Sequence, residues 1–437
     1  MYTIDDVYVY IFSWKKVTEN VKPLYKNVVE RFPNTTIINC DENENFLARE
    51  IHLDDNYYYG GQFETAIRDV PKGKIFGVIV GDVFPNADWE KIAKHCVAAF
   101  NTEQVGIYAP DVNTIHSKRL NNLWDDLWSV DNTDCTCWFM DPAIVSRLAS
   151  IPYYRMANLG WIIDMMFIEE SKKMNKYVVR DYAVRVEQPP GSGYSYKEAL
   201  NKSIVLRQLY GSITKNVVFS FSLWGTNPKY TEGMIQNARQ IEQQFPTARV
   251  WVYMAEDVPT GIKARLTECS NVAIVPIKRQ EGALSMFDRF TAIDDSDCDI
   301  MFVRDADSRV HDRDAACVYD FLASDKALHV IRDHYHHKSR IMGGMWGFRK
   351  QKDMPSLKSL IEKWRATNPY RIDYYCDQHF LNEVVYPMHN KNMMVHDRNN
   401  TVEGEDKTPF AVPIVDDLFV GQVFMYNDGK ELTEFKA

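Results

Sequence analysis

Two acidic residues close an apolar run in the second half of the chain. The run begins at Ile300 and leads into Asp305-Ala306-Asp307. Alternate side chains of an extended segment point the same way, so the carboxylates of Asp305 and Asp307 are expected to converge. Hard divalent cations prefer oxygen ligands and commonly keep phosphate oxygens in their shell. The pair predicts a Mn²⁺ or Mg²⁺ site that binds a diphosphate; the alternative is a solvated acidic turn.

A single acid holds the corresponding place in the first half. The apolar run that begins at Ile75 ends in Val80-Gly81-Asp82, and Asp82 lies as many residues after Ile75 as Asp307 lies after Ile300. Val80 replaces the other acid. Water and a bound diphosphate would therefore have to complete the shell of a metal ion on Asp82.

Other features recur in the same order, at a period of about 215 residues. Each half opens with an apolar run ending in Ser and Trp, then has an amphipathic helix that ends in Phe-Pro, then a second run followed by acids. The matched residues are Ser13 and Trp14 with Ser222 and Trp224, and Asp41 with Asp257. Any two α/β domains share strand–helix alternation, but matched residues in one order favour a diverged duplication.

The apolar runs are short, continuous and separated by helices, which indicates a mostly parallel sheet covered on both faces. A chain of 437 residues is long enough for two domains. We expect an α/β fold with two tandem Rossmann-like domains, residues 1–195 and 213–437, joined by a helix over residues 196–212. A breaker cluster over residues 189–193 precedes that helix.

Ligands of such sheets bind beyond the carboxyl ends of the strands. This predicts which side chains face a nucleotide in each half: Ser13, Trp14, Asp41, Ser222, Trp224 and Asp257. In the first half, Gly61 and Gln62 follow three tyrosines, and the glycine suits a close approach of backbone to ligand.

Composition excludes several classes of protein. The formal net charge is -9 and no long basic run is present, which argues against nucleic acid as the main partner. No stretch approaches the ~20 apolar residues of a membrane span. The opening residues lack the features of a signal peptide, and the eight cysteines include no CxxC pair. We expect reduced thiols in a cytoplasmic protein.

The second half carries further motifs in a recognisable order. Arg289 lies one helix before the acidic pair, and Gly343-Gly344 follow it. Later come Asp377-Gln378-His379-Phe380-Leu381-Asn382 and His396. In this order the second half resembles the retaining GT-A glycosyltransferases of family 8.

That resemblance implies roles for the matched residues. The metal ligands would be Asp305, Asp307 and His396. The donor, a UDP-sugar, would be held with help from Arg289, Gly343 and Gly344, and Asp377 and Gln378 would lie near the anomeric carbon. Two departures stand out: Asp397 follows His396 where the family has Phe, and the glycine pair stands where the family tends to have Asn. His389 is a competing metal ligand.

In the first half, the segment from Gly160 to Asp164 resembles the acceptor segment of inverting GT-A enzymes, whose acid is the catalytic base. By that resemblance Asp164 would deprotonate an acceptor hydroxyl in one in-line displacement. The alternative is an acid in the first turn of a helix, favoured by the helix dipole.

The whole chain also resembles multidomain glycosyltransferases encoded by chlorella viruses. The segments that carry this resemblance are residues 6–12, 58–62, 79–82, 87–89 and 133–139. It implies UDP-linked L-rhamnose as a candidate donor for both halves, transfer to a growing capsid glycan in the host cytoplasm, inversion in the first half and retention in the second.

Three other functions stay open. One half could be a degenerate binding domain, and the lone Asp82 makes the first half the candidate. A nucleotidyltransferase would also use metal–carboxylate chemistry, but it would normally show a Gly-rich phosphate loop near the first strand. A carbohydrate-binding protein without activity is the third.

His334, His336 and His337 predict an acceptor-contacting or structural loop, with zinc binding as the alternative.

Overall fold

The structure is a computed structural model that describes residues 1–46, 48–102, 104–113, 115–189, 196–427 and 430–433. The chain divides into two compact units, Met1–Arg207 and Gln208–Ala437. The division falls within a helix over Tyr196–Ile213. Residues 190–193 of the predicted breaker cluster lie outside the described residues. In the part of the chain described, no helix combines the length and apolar character needed to cross a membrane.

The first unit is built on one large sheet. Its strands are Val7–Ser13 (β1), Asn34–Asn39 (β2), Glu50–His52 (β3), Ile75–Val80 (β4), Val105–Val112 (β5), Arg119–Trp124 (β6), Leu127–Val130 (β7), Cys137–Met140 (β8) and Tyr177–Val186 (β9). The helices are Thr18–Val29 (α1), Tyr58–Asp69 (α2), Trp89–Phe100 (α3), Pro142–Leu148 (α4), Tyr153–Ala157 (α5) and Ile163–Lys173 (α6), followed by Tyr196–Ile213 (α7).

The order of strands in this sheet is β3-β2-β1-β4-β8-β5-β9-β7-β6. Strands β1 to β4 are parallel, and β8 is antiparallel to both of its neighbours. The central strands are buried on both faces, as their continuous apolar sequences require. Helices α1 and α3 pack on the sheet through buried residues such as Leu24 and Ile92.

The second unit has its own sheet. Its strands are Val217–Leu223 (β10), Arg249–Ala255 (β11), Val272–Ile277 (β12), Ile300–Arg304 (β13), Leu328–Arg332 (β14), Met345–Arg349 (β15) and Met393–Asp397 (β16), with a separate hairpin of Phe424–Asn427 (β17) and Lys430–Thr433 (β18). The helices are Pro228–Gln244 (α8), Thr260–Thr267 (α9), Asp312–Leu322 (α10), Leu357–Thr367 (α11), Cys376–Phe380 (α12) and Tyr386–His389 (α13). A 3₁₀ helix covers Leu284–Asp294, and a π-helical turn covers Leu381–Val385.

The two sheets share one topology. The second has the order β12-β11-β10-β13-β15-β14-β16, with β15 antiparallel to its neighbours. The first sheet has the same order once the β6–β7 hairpin is set aside. The central registers also agree, because Val7 pairs with Ile75 and Val217 with Ile300. The predicted α/β fold with two Rossmann-like, mostly parallel sheets is confirmed.

Candidate active sites

The acidic pair of the second unit lies at the carboxyl end of β13. The Asp305 side chain is 44% exposed and that of Asp307 is 7% exposed. Burial raises the pKa of Asp307, and the neighbouring charge of Asp305 raises it further. The two acids follow β13 in a turn, in which the Ser308 N–H donates to the Asp305 carbonyl at 3.1 Å, rather than in the extended segment that was expected. The carboxylate of Asp305 remains partly open to solvent.

Arg289 bridges two acids that are far apart in sequence. It lies on the 3₁₀ helix and is buried. Its Nη1 donates to Asp305 Oδ1 at 2.5 Å and to the Arg304 carbonyl at 3.0 Å, while its Nη2 donates to Asp377 Oδ2 at 3.3 Å. The structure thus brings Arg289, Asp305 and Asp377, three residues singled out in the sequence, into one cluster.

Asp377 lies behind Arg289 and is buried. Burial raises the pKa of its carboxyl to about 6, and the Arg289 charge opposes that rise. A carboxylate buried against a guanidinium is placed to orient that guanidinium. The expected place of Asp377 near the anomeric carbon of a bound donor remains a prediction. The neighbouring Gln378 side chain is partly exposed, and its Oε1 accepts a hydrogen bond from Ser339 Oγ at 2.8 Å.

The paired glycines make room for these acids. A Cβ on Gly343 would lie 2.3 Å from Asp377 Oδ2, and a Cβ on Gly344 would lie 2.0 Å from Asp305 Oδ2. Real Cβ atoms do not approach other atoms so closely. The groups that lie this close to the two glycines are carboxylates of the site itself. The expected approach of the glycines to a bound donor remains a prediction.

Three residues of this cluster escaped the sequence analysis. Lys229, near the start of α8, places its Nζ 3.0 Å from Asp307 Oδ2. Burial raises the pKa values of Tyr230 and Tyr374, and the charges of Asp305 and Asp307 add to both rises. Lys229 follows the Asn227 cap of a helix that begins just after β10, at the carboxyl edge of the sheet. This position, at the carboxyl edge of the predicted sheet, could have identified Lys229 as a candidate site residue from the sequence.

His396 does not join the acidic pair. It lies in β16 beside Ile331 of β14 and is fully buried. Its Nδ1 is 3.1 Å from His329 Nε2, and its Nε2 is 3.3 Å from Asp320 Oδ2. The pairing of β16 with β14 places His396 opposite Ile331, and its ring faces His329 and Asp320. The order of motifs in the sequence does not determine this pairing. The predicted three-residue set of Asp305, Asp307 and His396 is not assembled.

No described group of three or more His, Cys, Asp or Glu side chains is arranged to hold a metal ion. The histidine loop has a local structural order instead. His337 Nδ1 accepts hydrogen bonds from the backbone N–H groups of Asp333 and His334, and the His334 ring stacks on Phe419.

The remaining predicted nucleotide contacts of this unit have internal partners. Ser222 Oγ donates to the Ser285 carbonyl at 2.7 Å. Asp257 accepts from Gly225 N–H at 2.9 Å and from Arg279 Nη1 at 2.5 Å. Gly225 has φ +74°, a left-handed conformation that suits glycine. Trp224, on the same loop, is partly buried against the core. Ser222 and Asp257 shape the loop after β10.

The two carboxylates of the second unit nevertheless have the ligand atoms that a hard divalent cation prefers. Asp305 and Asp307 offer carboxylate oxygens on one edge, and such ions accept water and phosphate for the rest of their shell. Gly344 leaves the space beside Asp305 that a Cβ would fill. Asp305 and Asp307 would hold the ion.

In the first unit, Asp82 follows β4 and is half-buried. Burial raises the pKa of its carboxyl, and its Oδ1 is buried without a hydrogen-bond partner among the described residues. Gly81 allows this position, since a Cβ there would lie 2.3 Å from the Phe12 carbonyl oxygen of β1. A buried carboxylate oxygen without a donor among the described residues fits a cation, and Asp82 would hold it.

Asp164 is the second residue of α6, after a tight turn in which Gly160 and Ile162 have φ +77° and +71°. Burial raises the pKa of its carboxyl to about 6, and the charge of Asp134 adds to the rise. Thr136, two residues after Asp134, accepts from Val80 N–H at 2.8 Å at the end of β4. The segment 134–136 therefore connects the surroundings of Asp164 with the strand end that carries Asp82.

Other predicted nucleotide contacts of this unit support the strand ends. Gln62 Nε2 donates to the carbonyls of Ser13 at 2.8 Å and Ile38 at 3.0 Å, so its amide closes β1 and β2. Asp41 is buried and accepts from Thr18 Oγ1 at 2.8 Å. Gly61 lies in α2, where a Cβ would meet the Tyr57 side chain at 2.6 Å.

Helix packing thus explains Gly61, which the sequence analysis placed beside a ligand. Ser13 and Trp14, at the end of β1, differ from these residues. Ser13 Oγ is buried without a hydrogen-bond partner in the described part of the chain, and Trp14 is partly exposed. They remain candidates for contact with a nucleotide.

No family model and no curated protein matches the chain. Solved structures resemble part of it at low identity. GalNAc-T7 with UDP, GalNAc and Mn²⁺ has a TM-score of 0.37 and 8% identity, over 47% of this chain and 49% of that one. The galactosyltransferase LgtC with donor and acceptor sugar analogues has a TM-score of 0.29 and 14% identity, over 41% and 72%.

A putative glucose-1-phosphate thymidylyltransferase from Bacillus anthracis has a TM-score of 0.29 and 10% identity, over 46% of this chain and 95% of that one. Glycosyltransferases are thus among the structures that the chain resembles, and it spans about half the length of GalNAc-T7.

Proposed function

We propose that the chain is a metal-assisted glycosyltransferase with two sites, one in each unit, that transfer sugars from UDP-sugar donors to a glycan. The observation that carries this proposal is a pair of carboxylates after the carboxyl end of β13, each of them paired with a cationic side chain. Two carboxylates lie there between two cations, with Asp305 against Arg289 at 2.5 Å and Asp307 against Lys229 at 3.0 Å. Such an edge can bind a divalent cation and a diphosphate together.

In the second unit, Asp305 and Asp307 would hold the ion, and Arg289 fixes the position of Asp305. A divalent ion supplies charge stabilisation for the leaving diphosphate. Asp377 orients Arg289 from behind. Gln378, whose side chain is partly exposed, is the remaining candidate from the predicted catalytic pair to face the sugar. The resemblance to family 8 makes retention of configuration the expected outcome here.

In the first unit, Asp164 acts as general base. Its carboxylate takes the proton of the acceptor hydroxyl as that oxygen attacks the anomeric carbon. The bond from this carbon to the UDP oxygen breaks in the same displacement, which inverts the configuration. A pKa of about 6 suits this task, because the group is ionised at neutral pH yet basic enough to accept a proton. Asp82 contributes to binding the donor.

The resemblance to chlorella-virus glycosyltransferases makes UDP-L-rhamnose the first donor to assay. It also suggests an oligosaccharide acceptor, a growing capsid glycan in the host cytoplasm. The lone acid Asp82 favours one alternative, in which the first unit binds a nucleotide sugar without turning it over.

The test is UDP release from a panel of UDP-sugars by the full chain with Mn²⁺, with EDTA, and with single variants. Asp305→Asn should remove the activity of the second unit, and Asp164→Asn that of the first. Asp297→Asn, which changes an exposed acid of the second unit, is the matched control. A nucleotidyltransferase would instead form a UDP-sugar from UTP and a sugar phosphate. Such a reaction, or UDP release that is unchanged in EDTA and in Asp305→Asn, would refute the proposal.

A further inference from the structure

One face of α8 lies against the turn that carries the acidic pair. Lys229, Gly233 and Asn237 are spaced four residues apart, so they share that face. A Cβ on Gly233 would lie 2.2 Å from the Ala306 carbonyl oxygen. Asn237 Nδ2 donates to the Ser308 carbonyl at 2.7 Å. The helix is therefore fixed against the turn at two points, and Lys229 is held beside Asp307.

The pair formed by Lys229 and Asp307 is well shielded from solvent. Their side chains are 18% and 7% exposed, and Nζ lies 3.0 Å from Oδ2. Asp305, two residues away, has its own partner in Arg289. A divalent cation that binds Asp307 must therefore compete with the ammonium group. A diphosphate bound to that cation would bring oxygens within reach of the same ammonium.

We propose that Lys229 is a diphosphate-binding residue that competes with the divalent cation for Asp307. The inference rests on the function proposed for the second unit. Lys229 has opposite effects on two ligands: it opposes binding of the cation alone and favours binding of the nucleotide that arrives with the cation. Binding is therefore ordered. The cation binds Asp307 without competition only when the Lys229 ammonium pairs with the diphosphate instead of with Asp307.

The experiment uses the full chain with Asp82→Asn, so that binding is read from the second unit. Mn²⁺ alone, and then UDP at saturating Mn²⁺, are titrated calorimetrically into this parent and into its Lys229→Met variant. Removing the ion pair should tighten Mn²⁺ binding about two- to fivefold. Losing a charge-assisted hydrogen bond should weaken UDP binding about tenfold or more. Lys263→Met, an exposed lysine of α9, should change neither.

Lys229→Gln repeats the test if the Met variant melts below the parent. Unchanged affinity for both ligands would overturn the inference, and so would weaker Mn²⁺ binding in the neutral variants, since Lys229 would then support the cation. Both results leave the proposed function intact if the parent binds Mn²⁺ and UDP. A parent that binds neither refutes the proposed function of the second unit, and the inference with it.

Discussion

Asp164→Asn should make the first unit less active and more stable at the same time. The change keeps the shape of the side chain and removes its charge. Burial raises the pKa of this carboxyl from 3.8 to about 6, so ionisation of Asp164 costs folding free energy. A carboxyl with a raised pKa stabilises the fold while it is protonated, and that stability is lost as the pH rises from about 4 through 6.

The size of the effect follows from the two pKa values. A carboxyl moved from 3.8 to about 6 costs about 3 kcal/mol once it is ionised in both states, at about pH 7.5. At about pH 4.5 the cost is only about 1 kcal/mol, because the folded state keeps its proton. Asp164→Asn should therefore raise the melting temperature of the first unit by several degrees at neutral pH and by much less in mild acid.

Activity should move the other way. Loss of a positioned base costs about 10²–10⁴-fold in rate. In the parent, kcat/KM should fall about tenfold per pH unit below a pH of about 6, as the base becomes protonated. The assay is UDP release in a chain carrying Asp307→Asn, which silences the second unit, together with thermal melts at both pH values.

Glu169→Gln is the matched control, since Glu169 is an exposed acid on the same helix. It should change neither rate nor melting temperature. Unchanged turnover in Asp164→Asn would reduce Asp164 to an acid of the first helical turn. A melting temperature that falls at neutral pH would show that the carboxylate is stabilised in place, which would refute the argument from burial.

Three further predictions concern the metal and its surroundings. Asp82→Asn should abolish UDP release by the first unit only and Asp307→Asn that of the second unit only, as separate assays of the two variants would show; loss of both activities in either variant would contradict independent sites. Gly344→Ala should weaken Mn²⁺ binding with UDP about tenfold with little change in melting temperature, because its Cβ would displace a half-exposed Asp305; unchanged affinity would show that Asp305 is not a ligand. His396→Ala should lower the stability of the second unit by about 2–4 kcal/mol in denaturant melts and leave UDP and Mn²⁺ binding unchanged; lost Mn²⁺ binding would restore His396 as a ligand.

The fold was predictable because its signals are local. Continuous apolar runs indicate buried parallel strands, and each predicted run is a central strand of one of the sheets, for example β4 at Ile75–Val80 and β13 at Ile300–Arg304. The equal distance from Ile75 to Asp82 and from Ile300 to Asp307 is matched by equal registers with β1 and β10. That the two units arose by duplication remains a prediction.

The site was predictable only in part, because sequence order does not fix which way a side chain points. Arg289 was expected to help hold the donor, and in the structure it donates to Asp305. His396 was expected beside the acidic pair, but its Nε2 lies 3.3 Å from Asp320 Oδ2. Gln62 and Gly61 were expected to contact a nucleotide. In the structure Gln62 donates to backbone carbonyls near the ends of β1 and β2, and Gly61 leaves room for the Tyr57 side chain. Lys229 was missed because a lone lysine near a helix start is common.

The contacts of the acidic residues change the affinity for Mn²⁺ that each unit is expected to have without nucleotide. Three protein ligands in the second unit would hold an ion before any donor arrived. Among the described residues only Asp305 and Asp307 are placed together for this, and each already pairs with a cation, Arg289 or Lys229. In the first unit, by contrast, a buried oxygen of Asp82 has no donor among the described residues. A cation gains an unopposed ligand in the first unit and must displace competing charge in the second. Nucleotide-free Mn²⁺ binding should therefore be weak in both units, for lack of ligands in the first and because of competition in the second, and UDP should strengthen it in each.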